Sequence, residues 1–172
     1  MRPVGSLVRA LRPTIGVSHR RLVGTQTHPI LPLERTVMST ELAGKPVAFL
    51  VAPEGAEQVE LTEPWKAVEQ AAGNPQLIST EPGRVQAFNH LDKGDTFAVD
   101  AVVDGNDTSS YEALVLPGGV ANPDFLRAQA PAVAFVRGFV DASKPVVVVC
   151  HGAWTLIEAD VVRAGPSLVG QA

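Results

Sequence analysis

A run of four valines, residues 146–149, leads directly into the only cysteine of the chain, Cys150, which is followed by His151 and Gly152. Consecutive β-branched residues predict a buried strand, because a strand covered on both faces is apolar throughout and this run is too short to cross a membrane. Residues 153–159 then have helical character. The pattern therefore predicts a strand, a sharp turn and a helix with the cysteine at the corner, which is the geometry of a nucleophile elbow.

Cys150 is the candidate nucleophile of this elbow. A thiol next to a helix N-terminus lies close to unpaired N–H groups, which favour the thiolate, and the thiolate is the reactive form. His151 is the candidate base, but adjacent side chains meet only in a tight turn, and the imidazole then needs a carboxylate to orient it. The alternative is that Cys150 is a buried core residue that acts as a small hydrophobe.

Length and composition indicate one domain with a core of its own. The chain has 172 residues, of which 45% are hydrophobic, and chains of this size bury enough apolar surface to fold alone. A single cysteine rules out a disulfide within the chain and fits a reducing compartment, which predicts a cytoplasmic protein. No apolar run is long enough to span a bilayer, so no membrane association is predicted. The formal net charge of -4 gives no general attraction to nucleic acid.

The first 44 residues are set apart by their charge and their prolines. Residues 1–37 hold six arginines against one acid, Glu34, and four prolines interrupt any regular period. Their formal charge is about +5, which leaves about -9 for the rest of the chain. An Arg-rich, acid-poor N-terminus is typical of a transit peptide. The alternative, which we favour, is a translation start placed too early, since Met38-Ser39-Thr40 has the form of a natural beginning. We therefore assign residues 1–44 as a disordered or mis-started basic extension and residues 45–172 as the folded domain.

From Lys45 onwards, strand and helix patterns alternate. Apolar runs predict buried strands at 46–52, 75–80 and 113–116, alternating patterns predict exposed strands at 85–88 and 97–103, and helical spacing predicts helices at 59–72, 123–127 and 131–142. Strands separated by helices form βαβ units, so we predict an α/β fold with a mostly parallel sheet covered on both faces. In such sheets the functional residues gather at the carboxyl ends of the strands. The loops that meet this condition are 53–58, 117–122 and 150–152.

Glu60, Gly119 and Asp124 are the candidate site residues outside the elbow. Glu60 lies at the start of a predicted helix, where an acid either complements the helix dipole or holds a proton beside the thiol. The pair of glycines at 118 and 119 permits close backbone approach, and the N–H groups of Gly119 and His151 are candidates for an oxyanion hole, with a plain turn as the alternative. Asp124 either orients His151 or caps the next helix.

No cofactor or metal site is predicted. The chain lacks the glycine fingerprint of a dinucleotide fold and the lysine of a P-loop, and the loop at 53–58 lacks the Ser/Thr/Gly content expected for cradling a flavin phosphate. The histidines outside the elbow, His19, His28 and His90, have no ligand spacing, so we interpret them as surface residues. Trp65 and Trp154 stand at helical spacing and are predicted to lie in the core.

Four motifs in order give the chain a family resemblance. They are GAEQVELTEP at 55–64, ALVLPGG at 113–119, NPD at 122–124 and CHGAW at 150–154. With these motifs, residues 45–163 resemble the PfpI-like intracellular proteases of the ThiJ/PfpI superfamily, which are related to class I glutamine amidotransferases. The resemblance implies a flavodoxin-like three-layer α/β sandwich. It also implies a range of activities: peptide hydrolysis, removal of methylglyoxal adducts from amines and thiols, glyoxalase chemistry, and redox-sensing or chaperone roles.

The resemblance also assigns roles to individual residues. It implies that Cys150 is the nucleophile, that Glu60 is the carboxylate hydrogen-bonded to its sulfur, and that His151 is the base. It further implies that an acid matching Asp124 comes from a neighbouring subunit, so that a homo-oligomer completes the site. The expected partners are thus a small-molecule or peptide substrate and a second copy of this chain.

Two departures from the family pattern bear on this expectation. The residue after Cys-His-Gly is usually proline and is Ala153 here, a mild change because alanine is a good helix former. The chain ends at Ala172, and we expect the family's last strands and closing helix to be missing, which leaves the sheet incomplete and impairs activity. The alternatives to a cysteine hydrolase or deglycase are therefore a redox-sensing or chaperone-type stress protein without turnover, and an inactive remnant of the family.

Overall fold

The computed structural model describes residues 41–162, and the predictions made for residues 1–37 and for the segment after Arg163 fall outside this range. The strands in these residues are β1 (Pro46–Val51), β2 (Glu54–Glu57), β3 (Asn74–Ser79), β4 (Arg84–Asn89), β5 (Asp92–Ala98), β6 (Ala101–Val102), β7 (Ala113–Leu116) and β8 (Val146–Val148). The α-helices are α1 (Gln58–Gln70), α2 (Asn122–Arg127), α3 (Ala130–Asp141) and α4 (Ala153–Glu158).

Five of the strands form one parallel sheet with β1 at its centre. The order across the sheet is β6-β3-β1-β7-β8, and each neighbouring pair runs parallel. The sequence of β1, PVAFLV, is apolar throughout because a central strand of a parallel sheet is covered on both faces. The strands predicted at 46–52, 75–80 and 113–116 are therefore confirmed, each within one residue of its observed ends.

The side chains of β1 alternate between two hydrophobic clusters on opposite faces of the sheet. Leu50 belongs to the cluster that includes Phe139 of α3, whereas Phe49 belongs to the cluster that includes Leu61 of α1. Phe49 also packs against the ring of Trp65, with the ring centroids 5.0 Å apart. Helices thus cover both faces, and the predicted three-layer α/β sandwich with a mostly parallel sheet is confirmed.

Three strands form a second, smaller sheet. β2 pairs parallel with β4, and β4 pairs antiparallel with β5. The prediction of a loop at 53–58 is therefore wrong. Ala56 pairs with Ala87, and both are fully buried, while Glu54 alternates outward to solvent. The sequence pattern did not predict this short strand, because the strand has a single buried position among acidic residues.

The strand predicted at 97–103 is divided between the two sheets. Its first part belongs to β5 and its last part to β6. Asp100 stands at the division, where its carboxylate accepts a hydrogen bond from Leu77 N–H at 2.7 Å. The backbone N–H of Asp100 donates in turn to Leu77 O at 2.8 Å. These two bonds hold the chain against β3 as it passes from the small sheet to the edge of the main sheet.

The valine strand lies at an edge of the main sheet. β8 pairs with β7, and within residues 41–162 no strand flanks its other side. Val147 is 50% exposed, and Val146 and Val148 are half-buried. The prediction of a fully buried strand is therefore wrong. The apolar run marks a strand of a parallel sheet, but only a strand with neighbours on both sides is covered completely.

The helices predicted at 59–72, 123–127 and 131–142 are observed as α1, α2 and α3. A turn at 41–44 precedes β1 and is tied to the end of α1, since Gly44 N–H donates to Ala72 O at 2.9 Å. Among the described residues, no helix has the length and apolar character needed to cross a bilayer, and the longest, α1, has 13 residues.

Candidate active site

The polypeptide turns sharply between β8 and α4, and Cys150 stands at this turn. Residues Cys150–Gly152 form a single 3₁₀ turn, after which α4 begins. Cys150 has a φ of 51°, in the left-handed region, which costs a non-glycine residue about 1–3 kcal/mol. Gly152 permits the turn because a Cβ there would lie 2.5 Å from the carbonyl oxygen of Leu116. The predicted strand, sharp turn and helix are confirmed, and the turn leaves Cys150 exposed.

The sulfur of Cys150 contacts the imidazole of the next residue. Cys150 Sγ lies 3.2 Å from His151 Nδ1, and both residues are exposed. In the tautomer that carries its proton on Nε2, Nδ1 accepts a hydrogen bond from the S–H group. The ring of His151 also packs edge-to-face against Trp154, with the ring centroids 5.0 Å apart. The tight turn therefore brings the adjacent side chains together, as the dyad interpretation requires.

Glu60 reaches the elbow from the first turn of α1. Its Oε2 accepts a hydrogen bond from Gly118 N–H at 2.9 Å, and the side chain is half-buried. A Cβ on Gly118 would lie 2.6 Å from this Oε2 and 2.9 Å from Cys150 Cβ, so the carboxylate and the cysteine flank the same glycine. Within residues 41–162 the hydrogen bond of Glu60 goes to Gly118 and not to the sulfur. The structure thus places Glu60 beside Cys150 without the bond that the resemblance implies.

The backbone N–H groups of Gly119, in the loop after β7, and of His151, in the elbow, are the predicted oxyanion-hole donors. Gly119 is buried, and His151 N lies 2.9 Å from where a Cβ on Gly118 would be. The N–H groups of Gly119 and His151 have no backbone acceptor among residues 41–162. Buried N–H groups such as that of Gly119 are nearly always paired, whereas His151 is exposed to solvent. Gly119 has a φ of +95°, and a Cβ there would clash with the Gly55 carbonyl oxygen. An oxyanion hole needs unpaired donors close to the nucleophile, and the contacts around Gly118 place His151 N next to Cys150.

Among residues 41–162, Asp124 makes no hydrogen bond to His151. It is the third residue of α2, whose N-cap is Ala121, and no side chain caps this helix. Its Oδ1 instead accepts from Arg127, with both Nε and Nη2 at 2.7 Å. The Arg127 guanidinium lies 5.6 Å from the centre of the Trp154 ring that packs on His151. The interpretation of Asp124 as a cap is therefore wrong. In the part of the chain that the structure describes, Asp124 connects to His151 through Arg127 and Trp154.

Trp154 and Arg127 are site residues that the sequence patterns missed. Trp154 is 38% exposed, so its prediction as a core residue is wrong, whereas Trp65 packs against a buried cluster as predicted. Helical spacing places a tryptophan on one face of a helix but does not identify what that face contacts. Arg127 could have been found from its spacing, since it stands three residues after Asp124 on a helix, where opposite charges meet.

Residues 41–162 contain no group of three or more histidine, cysteine, aspartate or glutamate side chains that could hold a metal ion. His90 lies at the surface as predicted, with its side chain 95% exposed. His19 and His28 lie outside the described residues. The groups that the site itself offers are a thiol, an imidazole and a carboxylate, which together suit nucleophilic and acid–base catalysis.

Comparisons with known proteins give relatives with similar sequences and folds. A family model described as the DJ-1/PfpI family matches residues 45–166. The protein named "Putative cysteine protease YraA" from Bacillus subtilis (strain 168) is 35% identical over 126 residues, 73% of this chain and 71% of the relative. The "Protein/nucleic acid deglycase 2" of Escherichia coli (strain K12) is 35% identical over 120 residues, 69% of this chain and 67% of the relative.

A solved structure gives the same picture of the fold. It is a two-domain protein from Anabaena variabilis with DJ-1/ThiJ/PfpI-like and ferritin-like domains. Its TM-score to this chain is 0.64, with 27% sequence identity over 70% of this chain. The match spans 33% of the length of that protein.

Proposed function

Because the chain belongs to the DJ-1/PfpI family, as its motifs predict, we propose that it is a cysteine-dependent hydrolase that removes methylglyoxal adducts from amines and thiols. The observation that carries the proposal is the 3.2 Å contact between Cys150 Sγ and His151 Nδ1 at an exposed turn. An exposed thiol with a base in reach attacks the aldehyde carbon that is released when a small adduct from solvent breaks down. The E. coli relative is named a protein and nucleic acid deglycase, which supports deglycation as the reaction type.

The first step frees the modified group and captures the aldehyde. In the adduct of methylglyoxal with an amine, one carbon bears the nitrogen, a hydroxyl group and the neighbouring ketone. His151 moves the hydroxyl proton to the nitrogen, and the C–N bond breaks. The amine is released, and the aldehyde is restored. The Cys150 thiolate then adds to the aldehyde carbon. The N–H groups of Gly119 and His151 stabilise the negative oxygen, which takes up a proton to give a hemithioacetal.

The second step converts the hemithioacetal to lactate. Glu60 takes the proton from the carbon bonded to sulfur, and a proton is returned to the neighbouring carbon through an enediol. The ketone thereby becomes an alcohol and the sulfur-bearing carbon becomes a thioester carbonyl. One carbon is oxidised as its neighbour is reduced, so no outside oxidant or reductant enters. Water then hydrolyses the thioester, which releases lactate and regenerates the thiol. Glu60 suits this role because its carboxylate flanks Cys150.

Two substrate classes, offered to the full chain, test the proposal. We expect a preformed adduct of methylglyoxal with N-acetylcysteine to give lactate and free thiol in equal amounts, measured by NMR against buffer alone. A quenched fluorescent casein should stay intact. Casein cleavage without lactate would contradict the proposal in favour of a peptidase. If neither product forms, the result would contradict the proposal and favour a redox-sensing or chaperone-type role without turnover.

A further inference from the structure

The peptide group between Pro117 and Gly118 is fixed at both of its ends. Its carbonyl oxygen, on Pro117, accepts a hydrogen bond from Asn122 Nδ2 at 2.8 Å. Its N–H, on Gly118, donates to Glu60 Oε2 at 2.9 Å. A single peptide plane therefore links the side chain of Asn122 to the carboxylate that flanks Cys150.

Asn122 is itself held in one orientation. Its side chain is fully buried, and its Oδ1 accepts a hydrogen bond from Ala52 N–H at 2.7 Å, just after the end of β1. Because Ala52 N–H can only donate and the Pro117 oxygen can only accept, the amide oxygen and nitrogen of Asn122 have a single assignment. Turning this amide would leave buried groups unpaired, which is costly. Asn122 thus ties the loop after β7 to the central strand.

We propose that Asn122 is a positioning residue for Glu60. A donor to the carbonyl of a peptide group polarises that group and makes its N–H a stronger donor. Asn122 therefore strengthens the bond from Gly118 to Glu60 and fixes the carboxylate beside Cys150. The inference rests on the proposed function, which gives Glu60 the proton transfer. An asparagine that served structure alone would hold the loop without influencing the bond to Glu60.

The amide proton of Gly118 reports the link directly, because a hydrogen bond to a carboxylate moves an amide resonance downfield. Asn122→Asp keeps one acceptor oxygen in place but presents an oxygen instead of a donor to Pro117. In the full chain labelled with ¹⁵N, we expect this variant to move the Gly118 resonance upfield. The resonance of Leu77, whose N–H donates to a different carboxylate, should stay in place. An unchanged Gly118 resonance would overturn the proposal.

The reverse measurement covers the case in which a buried variant does not fold. Coupling between two groups is reciprocal, so Glu60→Ala, at a half-buried position, is expected to move the side-chain amide protons of Asn122 upfield. Asp100→Asn is the matched control, because Asp100 also accepts a backbone N–H, at 2.7 Å. It should leave the Asn122 protons in place. An equal response to the two variants would refute the link.

Turnover separates this inference from the proposed function. Asn122→Asp should lower kcat about tenfold with KM unchanged, because a displaced catalytic group raises the barrier without weakening binding. In a Glu60→Ala background the same substitution should have little further effect, since linked residues are not additive. Additive losses would overturn the inference. A wild-type protein that forms no lactate would refute the proposed function alone, because the resonances of Gly118 and Asn122 test the link without turnover.

Discussion

Replacing Cys150 with serine is expected to lower the rate of lactate formation by about 10³-fold or more. A hydroxyl group loses its proton far less readily than a thiol, so His151 at 3.2 Å cannot produce a comparable nucleophile. The fold should be unchanged, because residue 150 is exposed and serine differs from cysteine by one atom. Lactate is measured by NMR, and urea unfolding of both proteins checks the fold. A serine variant that keeps the wild-type rate would remove Cys150 from the chemistry.

Ser143 offers a matched control for this substitution. It is exposed and has the same left-handed backbone as Cys150, with a φ of 55°, but it follows the end of α3 and lies outside the elbow. Adding Ser143→Cys to the Cys150→Ser chain restores an exposed thiol in a similar backbone conformation. No lactate formation is expected from it, because the imidazole and the carboxylate of the elbow are not its neighbours. Activity from this thiol would show that any exposed cysteine suffices.

Gly118→Ala is expected to lower kcat/KM for the adduct by about 10²-fold, the cost of misplacing reacting groups by about 1 Å. Its Cβ would lie 2.6 Å from Glu60 Oε2, 2.9 Å from Cys150 Cβ and 2.9 Å from His151 N. The glutamate tip can swing away, but the backbone nitrogen cannot. The methyl group therefore displaces the carboxylate and the elbow together. We also expect a loss of unfolding free energy of about 1–3 kcal/mol, typical of an overpacked site.

Gly105→Ala separates the loss of activity from the loss of stability. Gly105 has a φ of +73° and open space around its Cβ position, so alanine there is strained but meets no neighbour. The left-handed backbone costs about 1–2 kcal/mol of stability. Urea unfolding should therefore show similar losses for the two alanine variants, while only Gly118→Ala loses turnover. Equal kcat/KM values in the two variants would contradict the placement of Gly118 at the site.

Strands were predictable from the sequence where their hydrophobic pattern depends on neighbouring residues alone. The apolar run of β1 predicts a strand covered on both faces, and the structure places it at the centre of the sheet. The valines of β8 carry the same pattern but lie at an edge, because the number of neighbouring strands depends on how the whole sheet assembles. The segment that forms β2 was missed for a related reason. Its one buried residue, Ala56, pairs with Ala87 of β4, more than thirty positions further along the chain.

The candidate site was predictable in part. The contact between Cys150 and His151 depends on one tight turn, and the sequence Cys-His-Gly at the end of a strand is enough to suggest it. The bond from Gly118 to Glu60 depends on how α1 packs against the loop after β7, which no local pattern encodes. No local pattern encodes the contacts of Asn122 either. Asn122 shares the NPD motif with Asp124, yet Asn122 is buried and Asp124 is about half exposed.

The central claim is that His151 activates Cys150 at the exposed turn. Its most direct test is the rate at which iodoacetamide alkylates the folded chain at neutral pH. The reaction is followed by intact-mass measurement. The reference is the single-thiol chain that carries Cys150→Ser and Ser143→Cys. We predict that Cys150 is alkylated faster than the reference thiol, and that His151→Ala removes the difference, because the imidazole no longer takes the thiol proton. Alkylation of Cys150 at or below the rate of the reference thiol would contradict the claim.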